Sequence, residues 1–349
     1  MNFYKCYIHI FYLHLFYFLN MKTSSFEIST NKHIFNRWNC IGIVDNIDFS
    51  KPYTINVGEL PLVIWKNPKI NQFAASINIC KHMGSKLDNG EITKDGCLKC
   101  QYHGLENTFE ERIGETIEHE GKLFWSYNPS FTKPPLVPFF NNDKFQKSYL
   151  EIDMDCSLKD SAFNSMDLRH PEYVHGGFFG FGNNIPPKNI KHYKYSDEKV
   201  GLSFDYISKQ NIQQLNSNSQ FTSNFHMYEY PSFTWSKVTF DRNKHLIIGV
   251  NFLPLEEKKT RWYVTVCNNY FTSNIQNEFL KMLAYVILTQ DLKQMKNQHK
   301  EDILKEEMLF SYIFKDEEIM IWLKTMFASY NYPTILNCVE MYRDYNKKL

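Results

Sequence analysis

The sequence predicts an α+β protein of two β-rich units: a small β-sandwich over residues 35–140, and a larger unit over 141–349 in which strands precede helices. Three observations carry this. Short strand-like runs broken by Gly, Asn and Pro recur between Trp38 and Tyr127, the spacing of a sandwich. Pro129, Pro134, Pro135 and Pro138 then crowd one stretch and mark a linker. Beyond it, strand-like runs give way to helical periodicity from Asn274 onward.

Taken in order, residues 1–34 read as an N-terminal extension. Its apolar run, Tyr7 to Leu19, is interrupted by two His and is short for a bilayer span of ~20 residues. A Lys precedes it, but no small-x-small cleavage site follows. The expectation is that Met21 is the working start, giving a cytoplasmic protein. A membrane-tethering segment is the second reading and a cleaved signal the third.

Strands are expected at Trp38–Val44, Leu62–Trp65, Phe73–Ile79 and Leu123–Tyr127. In the second unit, Ser148 to Cys156 alternates like a strand, and Asp160 to His175 reads as a helix. Residues 176–188 form a Gly- and Pro-rich loop, in which Phe178, Phe179 and Phe181 either wall a pocket or pack as a surface loop. Strand-like runs follow at 191–207, 221–240, 245–254 and 260–268, with a polar loop at 210–220. Phe279, Met282, Leu283, Val286 and Ile287 then fall at i, i+3, i+4, i+7 and i+8, helical spacing. More helix is expected at 302–313 and 316–329.

The chain has 349 residues, enough for two domains with cores. With 39 basic and 38 acidic side chains, the net charge of +1 gives no basis for a nucleic-acid or anionic-membrane partner. Eight cysteines are too few and too irregularly spaced for a disulfide scaffold, and three of them lie near two histidines. That points to a reducing compartment and metal chemistry.

The histidines belong to two short loops, Cys80-x-His82 and Cys100-x-x-His103, separated by seventeen residues, about enough for a strand, a turn and a return strand. Each loop offers one thiolate and one imidazole, the ligand set of a Rieske [2Fe–2S] centre, with two Cys on one iron and two His on the other. Neutral imidazoles remove negative charge, so such a cluster accepts an electron more readily than an all-Cys one. Gly84, Ser85 and Gly104 after the ligands suit a backbone wrapped tightly around a cluster. Two rival readings remain here. Zn²⁺ held by four of Cys80, His82, Cys97, Cys100 and His103 is one. Buried Cys and loop His without metal is the other.

On the run Cys80-x-His82-x17-Cys100-x2-His103-Gly104 the chain resembles the Rieske non-haem iron oxygenases, of the ring-hydroxylating α-subunit or single-component type. It departs from them at Leu105, where they usually have Trp. The resemblance extends to Asn164-x2-Asp167-x2-His170-x4-His175, and it implies a mononuclear Fe(II) held by His170, His175 and Asp291. Two His and one carboxylate form the facial triad that leaves positions open for O₂ and substrate. Taken alone, His170 and His175 would diverge by about 140° on a regular helix, so the helix must widen or break between them, and Pro171 favours that. Asp291 is assigned because Gln290-Asp291 with a later Gln298 is similar to the family's third-ligand run. The family often has Glu before that Asp, and Asp302 is the competing acid.

The resemblance further implies that Asp167 hydrogen-bonds a metal-binding His and a cluster His of a neighbouring subunit, which here means His170 and His103. It places Asn164 near the iron. It implies a Rieske β-sandwich joined to a helix-grip-like domain, an antiparallel sheet flanked by helices. The implied activity is O₂-dependent hydroxylation, demethylation, desaturation or cis-dihydroxylation of a largely apolar organic substrate, fed by a reductase or ferredoxin, in a homotrimer. The alternative is an electron carrier or metal-binding regulatory protein with an inactive second domain.

Overall fold

The computed structural model describes residues 33–175, 187–207, 221–241, 243–298, 317–334, 337–339, 341 and 343. The expected Met21 start, the Phe178–Phe181 loop, the polar loop at 210–220, the helix at 302–313 and Asp302 lie outside these residues.

Three small antiparallel sheets precede one large sheet. The first contains β1 (Asn39–Ile43), β9 (Lys122–Ser126) and β8 (Glu115–His119), in that order. The second runs β2 (Tyr53–Val57), β3 (Leu60–Asn67), β4 (Gln72–Ile77). The third is a minimal sheet of β5 (Glu91–Ile92), β6 (Leu98–Lys99) and β7 (Glu106–Asn107). Residues 83–99 thus hold the strand, turn and return strand that the ligand spacing predicts.

β3 and β4 are buried on both faces, because successive side chains of a strand point to opposite sides. Leu62 and Ile64 of β3, with Phe73, Ala75 and Ile77 of β4, enter the main core. Val63, Trp65 and Ala74 enter a second, smaller core with Leu87, Leu98, Cys80 and Cys100. One pair of strands therefore fixes the ligand loops to the body of the protein.

The large sheet has seven antiparallel strands. These are β10 (Gln146–Met154), β16 (Lys259–Asn268), β15 (Lys244–Glu256), β14 (Phe233–Asp241), β13 (Phe221–Glu229), β12 (Lys199–Ile207) and β11 (Lys188–Ser196), in spatial order. The strand-like runs at 191–207 and 221–240 each fold as a hairpin, turning at Asp197–Glu198 and at Tyr230–Ser232. The main core is continuous from Ile41, Phe124 and Trp125 of the small sheets to Ile152, Phe252 and Trp262 of the large one.

The helices that matter to the site are α1 (Leu158–Met166), α2 (His170–Val174), α3 (Asn274–Lys296) and α4 (Glu318–Phe327). Among the described residues no helix is long and apolar enough to cross a membrane. The single helix expected over 160–175 is two helices, and the break falls before His170, not between His170 and His175 as expected. Pro171 lies in the first turn of α2, where its missing N–H costs nothing. The apolar run read from Phe279, Met282 and Val286 faces outward on α3, where all three are exposed. The inward face carries Asn277, Leu280, Asp291 and Met295, with Ala284, Leu288 and Leu292 packed beside them. Two buried polar residues on that face hide it from a search for apolar periodicity.

The two units are also joined by a buried charge. Lys122 of β9 is 1% exposed. Its Nζ donates to Asn251 Oδ1 of β15 at 2.9 Å and to Thr265 Oγ1 of β16 at 3.0 Å. The Glu120 carboxylate lies 3.9 Å away and accepts the Val137 N–H of the proline-rich linker. Burial holds the pKa of Lys122 below the ordinary ammonium value, against the pull of Glu120. Removing one member of such a buried group strands the others, at a cost of about 3 kcal/mol. Lys122→Met is therefore expected to lower the thermal midpoint by several degrees in scanning calorimetry; an unchanged midpoint would show that the link carries no net stability.

Candidate metal centres

The two cysteine–histidine loops share one backbone design. The Cys80 N–H donates to the Ser85 carbonyl at 2.7 Å, and Gly84 N–H returns to the Cys80 carbonyl at 2.9 Å. In the second loop Cys100 N–H donates to the Leu105 carbonyl at 2.8 Å, and Gly104 N–H returns to the Cys100 carbonyl at 2.9 Å. Gly84 and Gly104 hold φ of +74° and +73°, left-handed backbone that a side chain disfavours. Leu105, the departure from the usual Trp, supplies this carbonyl and packs against the small core.

The four side chains divide by burial. Cys80 and Cys100 are 3% and 2% exposed, whereas His82 and His103 are exposed, with ring centroids 4.7 Å apart. Burial alone would push the Cys100 thiol up. The N–H groups of Tyr102 and His103, the Cys80 thiol and the Ser85 side chain outweigh it and bring the pKa below the ordinary thiol value. Hydrogen bonds that favour a thiolate are what a sulfur ligand to iron needs.

Cys97 stands apart, half-buried in the turn before β6. Burial and Glu106 raise its pKa, and its partner is Thr93. Among the described residues the only His, Cys and carboxylate donors gathered closely enough for a single ion are His170, His175 and Asp291. The Cys80–His103 set is thus not drawn around one centre as tetrahedral zinc would require. Two buried sulfurs and two exposed imidazoles instead suit the two ends of a binuclear cluster.

The second centre forms where α1 stops. Ser157 and Asp160 start that helix with a reciprocal capping box. At its other end the Asp167 carboxylate accepts the N–H groups of Arg169 at 2.8 Å and His170 at 3.2 Å, turning the chain into α2. The Tyr206 hydroxyl donates to the Leu168 carbonyl and pins this break to the sheet. His170 opens α2 and His175 closes it, so the rings meet, with centroids 5.4 Å apart.

The tautomers of both rings follow from their partners. His170 Nδ1 lies 2.9 Å from the Asp167 carbonyl, and His175 Nδ1 lies 2.8 Å from Gln290 Oε1. An oxygen acceptor at each Nδ1 places the ring proton there and leaves both Nε2 lone pairs for a cation. These Nε2 atoms lie 3.5 and 3.1 Å from Asp291 Oδ1, and the three ligand atoms fall within 4.8 Å of one another. Asn164 Nδ2 donates to the same Oδ1 at 3.3 Å. Burial opposes a positive charge on His175, yet the Asp291 carboxylate prevails and raises its pKa. The donor set and this attraction for positive charge both fit a divalent metal.

The sequence-derived residues therefore sit as follows. His170, His175, Asp291 and Asn164 come together. Asp167 lies beside them, but the contact expected from its carboxylate is made by its backbone carbonyl. Gln290, a departure from the family's usual Glu, contacts His175; its place directly before Asp291 is the signal in the sequence.

Residues 37–120 match the family model of the Rieske [2Fe-2S] domain. The N-terminal unit is a Rieske domain. Its [2Fe–2S] cluster fits the paired loops just described. The chain is 36% identical over 191 residues to pheophorbide a oxygenase of Oryza sativa subsp. japonica, covering 45% of this chain and 36% of that protein. It is 26% identical over 163 residues to the oxygenase component of dicamba O-demethylase from Stenotrophomonas maltophilia, covering 40% and 47%. The matched stretches thus span less than half the length of these relatives. In structure, the Rieske domain and the large sheet together resemble dicamba monooxygenase bound to dicamba. That match has a TM-score of 0.68 at 15% identity and covers 84% of this chain and 96% of the other.

Gln290 makes the second centre testable. Gln290→Leu leaves His175 Nδ1 without its acceptor and is expected to weaken divalent-metal binding there by about 10–100-fold, read by Co²⁺ titration. Gln290→Glu, which keeps an acceptor, should bind at least as tightly as the parent protein.

Proposed function

We propose that the chain is the oxygenase component of a Rieske-type system, oxidising a largely apolar organic substrate with O₂ and electrons from a reductase or ferredoxin. The carrying observation is that two separate donor sets occur on one chain, thiolate–imidazole loops suited to a cluster and an imidazole–carboxylate triad suited to a single ion. Cys80, Cys100, His82 and His103 hold the [2Fe–2S] cluster in this reading, and His170, His175 and Asp291 hold Fe(II). Bound there, the cluster supplies single electrons and the ferrous ion supplies O₂ activation.

The protein's own groups have defined tasks. Gln290 and the Asp167 carbonyl fix the two imidazoles, and Asn164 orients the Asp291 carboxylate. Cys80 and Cys100 serve a cluster and not a disulfide in this reading, which supports a reducing, cytoplasmic compartment. The relatives' names support the oxidation of organic molecules, and hydroxylation, demethylation and desaturation are all open to this donor set.

The position of the cluster histidines supports assembly as a homotrimer. Around them Ile79, Met83 and Tyr102 form an apolar collar, 51%, 66% and 61% exposed. Against a second copy this collar would bring His103 of the partner subunit to the Asp167 carboxylate, linking the two centres.

Asp291→Ala tests the function. It is expected to keep the cluster's red-brown colour, lose the mononuclear iron, and abolish reductant-driven O₂ uptake. Uptake at the parent rate would remove the second centre from the reaction and leave the electron-carrier reading. Asp167→Ala tests the assembly. Light scattering should give a trimer for the parent protein, and the variant, with both metals retained, should show cluster reoxidation slowed at least about tenfold; a monomeric parent protein would remove the bridge.

A further inference from the structure

On the proposed oxygenase reading, we infer that His226 is a substrate-orienting residue, its imidazole accepting a hydrogen bond from an O–H or N–H group on an otherwise apolar substrate. His226 of β13 lies opposite Leu202 of β12 and Ser236 of β14, and Ser236 lies opposite Ile248 of β15. Directly paired residues share a face of the sheet. That face carries α1: two residues before Ser236, Thr234 Oγ1 meets Met166 Sδ at 3.8 Å. The metal triad begins where α1 ends.

Three observations place His226 beside that triad. Its ring donates to the Ser165 carbonyl in the last turn of α1, and it is close enough to His170 for the two imidazoles to sense each other's charge. The Phe204 ring lies 5.1 Å away. His226, Ser236, Leu246 and Ile248 all keep some accessible surface, although the face they occupy is covered by helices and Leu246 and Ile248 pack on the main core. They border accessible surface on the helix-bearing face of the sheet.

The chemistry of that border follows. An uncharged imidazole has one N–H and one acceptor nitrogen. One nitrogen donates to Ser165, and the other is an acceptor. Among the described residues no partner engages that acceptor. Ile248 lies two strands along the same face with Ser236 between, so the complementary ligand is a largely apolar molecule whose donor group lies at one edge. Fixing that group against His226, close to His170, would decide which carbon faces the iron.

The experiment uses two probes of near-equal shape. Indole carries an N–H donor, and benzofuran has an oxygen in its place. Calorimetric titration of the metal-loaded protein should show indole preferred by about fivefold. His226→Phe should abolish the preference with benzofuran binding retained, and His226→Gln, which keeps an acceptor, should restore much of it. A merely structural contact with Ser165 would leave the ratio of the two affinities unchanged. Equal affinities in the parent protein, binding of neither probe, or an undiminished preference in His226→Phe each overturn the assignment. Iron content measured on the same samples separates this failure from that of the oxygenase reading, which missing mononuclear iron would overturn.

Discussion

A single buried carboxylate organises the second half of this protein. Asp291 is buried on α3, where an unpaired charge would be costly. Its Oδ1 faces His170 and His175 from α2 and accepts from Asn164 of α1. Three helices thus meet at one oxygen. The polar contacts that orient the carboxylate also explain why α3 turns its most apolar residues outward. Burial of Asp291 and Asn277 fixes which face points in, and Phe279 and Met282 take what remains.

The first half solves a different problem. A cluster that must be both sheltered and reachable needs two environments within a few ångströms. β3 and β4 supply them by sending alternate side chains into two cores. The Cys80 and Cys100 sulfurs lie in the smaller core, and the His82 and His103 imidazoles are exposed. In the proposed reading electrons would enter and leave on the histidine side, where the exposed apolar collar lies.

The sequence made the site more legible than the fold around it. Ligand identity depends on residue type and spacing, which a sequence displays directly, and the strand positions followed from β-branched runs and their breaks. What stayed hidden depends on contacts between distant residues. The break between Met166 and His170 is set by Asp167 capping and by Tyr206, which lies far along the chain. The inward face of α3 is set by partners on β16, α1 and α2. His226 looks like any strand histidine until the strand register puts it over the end of α1, and Lys122 looks like a surface cation until β15 and β16 close over it.

The central claim is that one chain houses two different iron centres. The most direct measurement is metal and sulfide content, together with electron paramagnetic resonance, on anaerobically purified, dithionite-reduced protein. The account predicts about three irons per chain and a Rieske-type signal, with the third iron absent from that signal. Zinc without iron would contradict it at both centres.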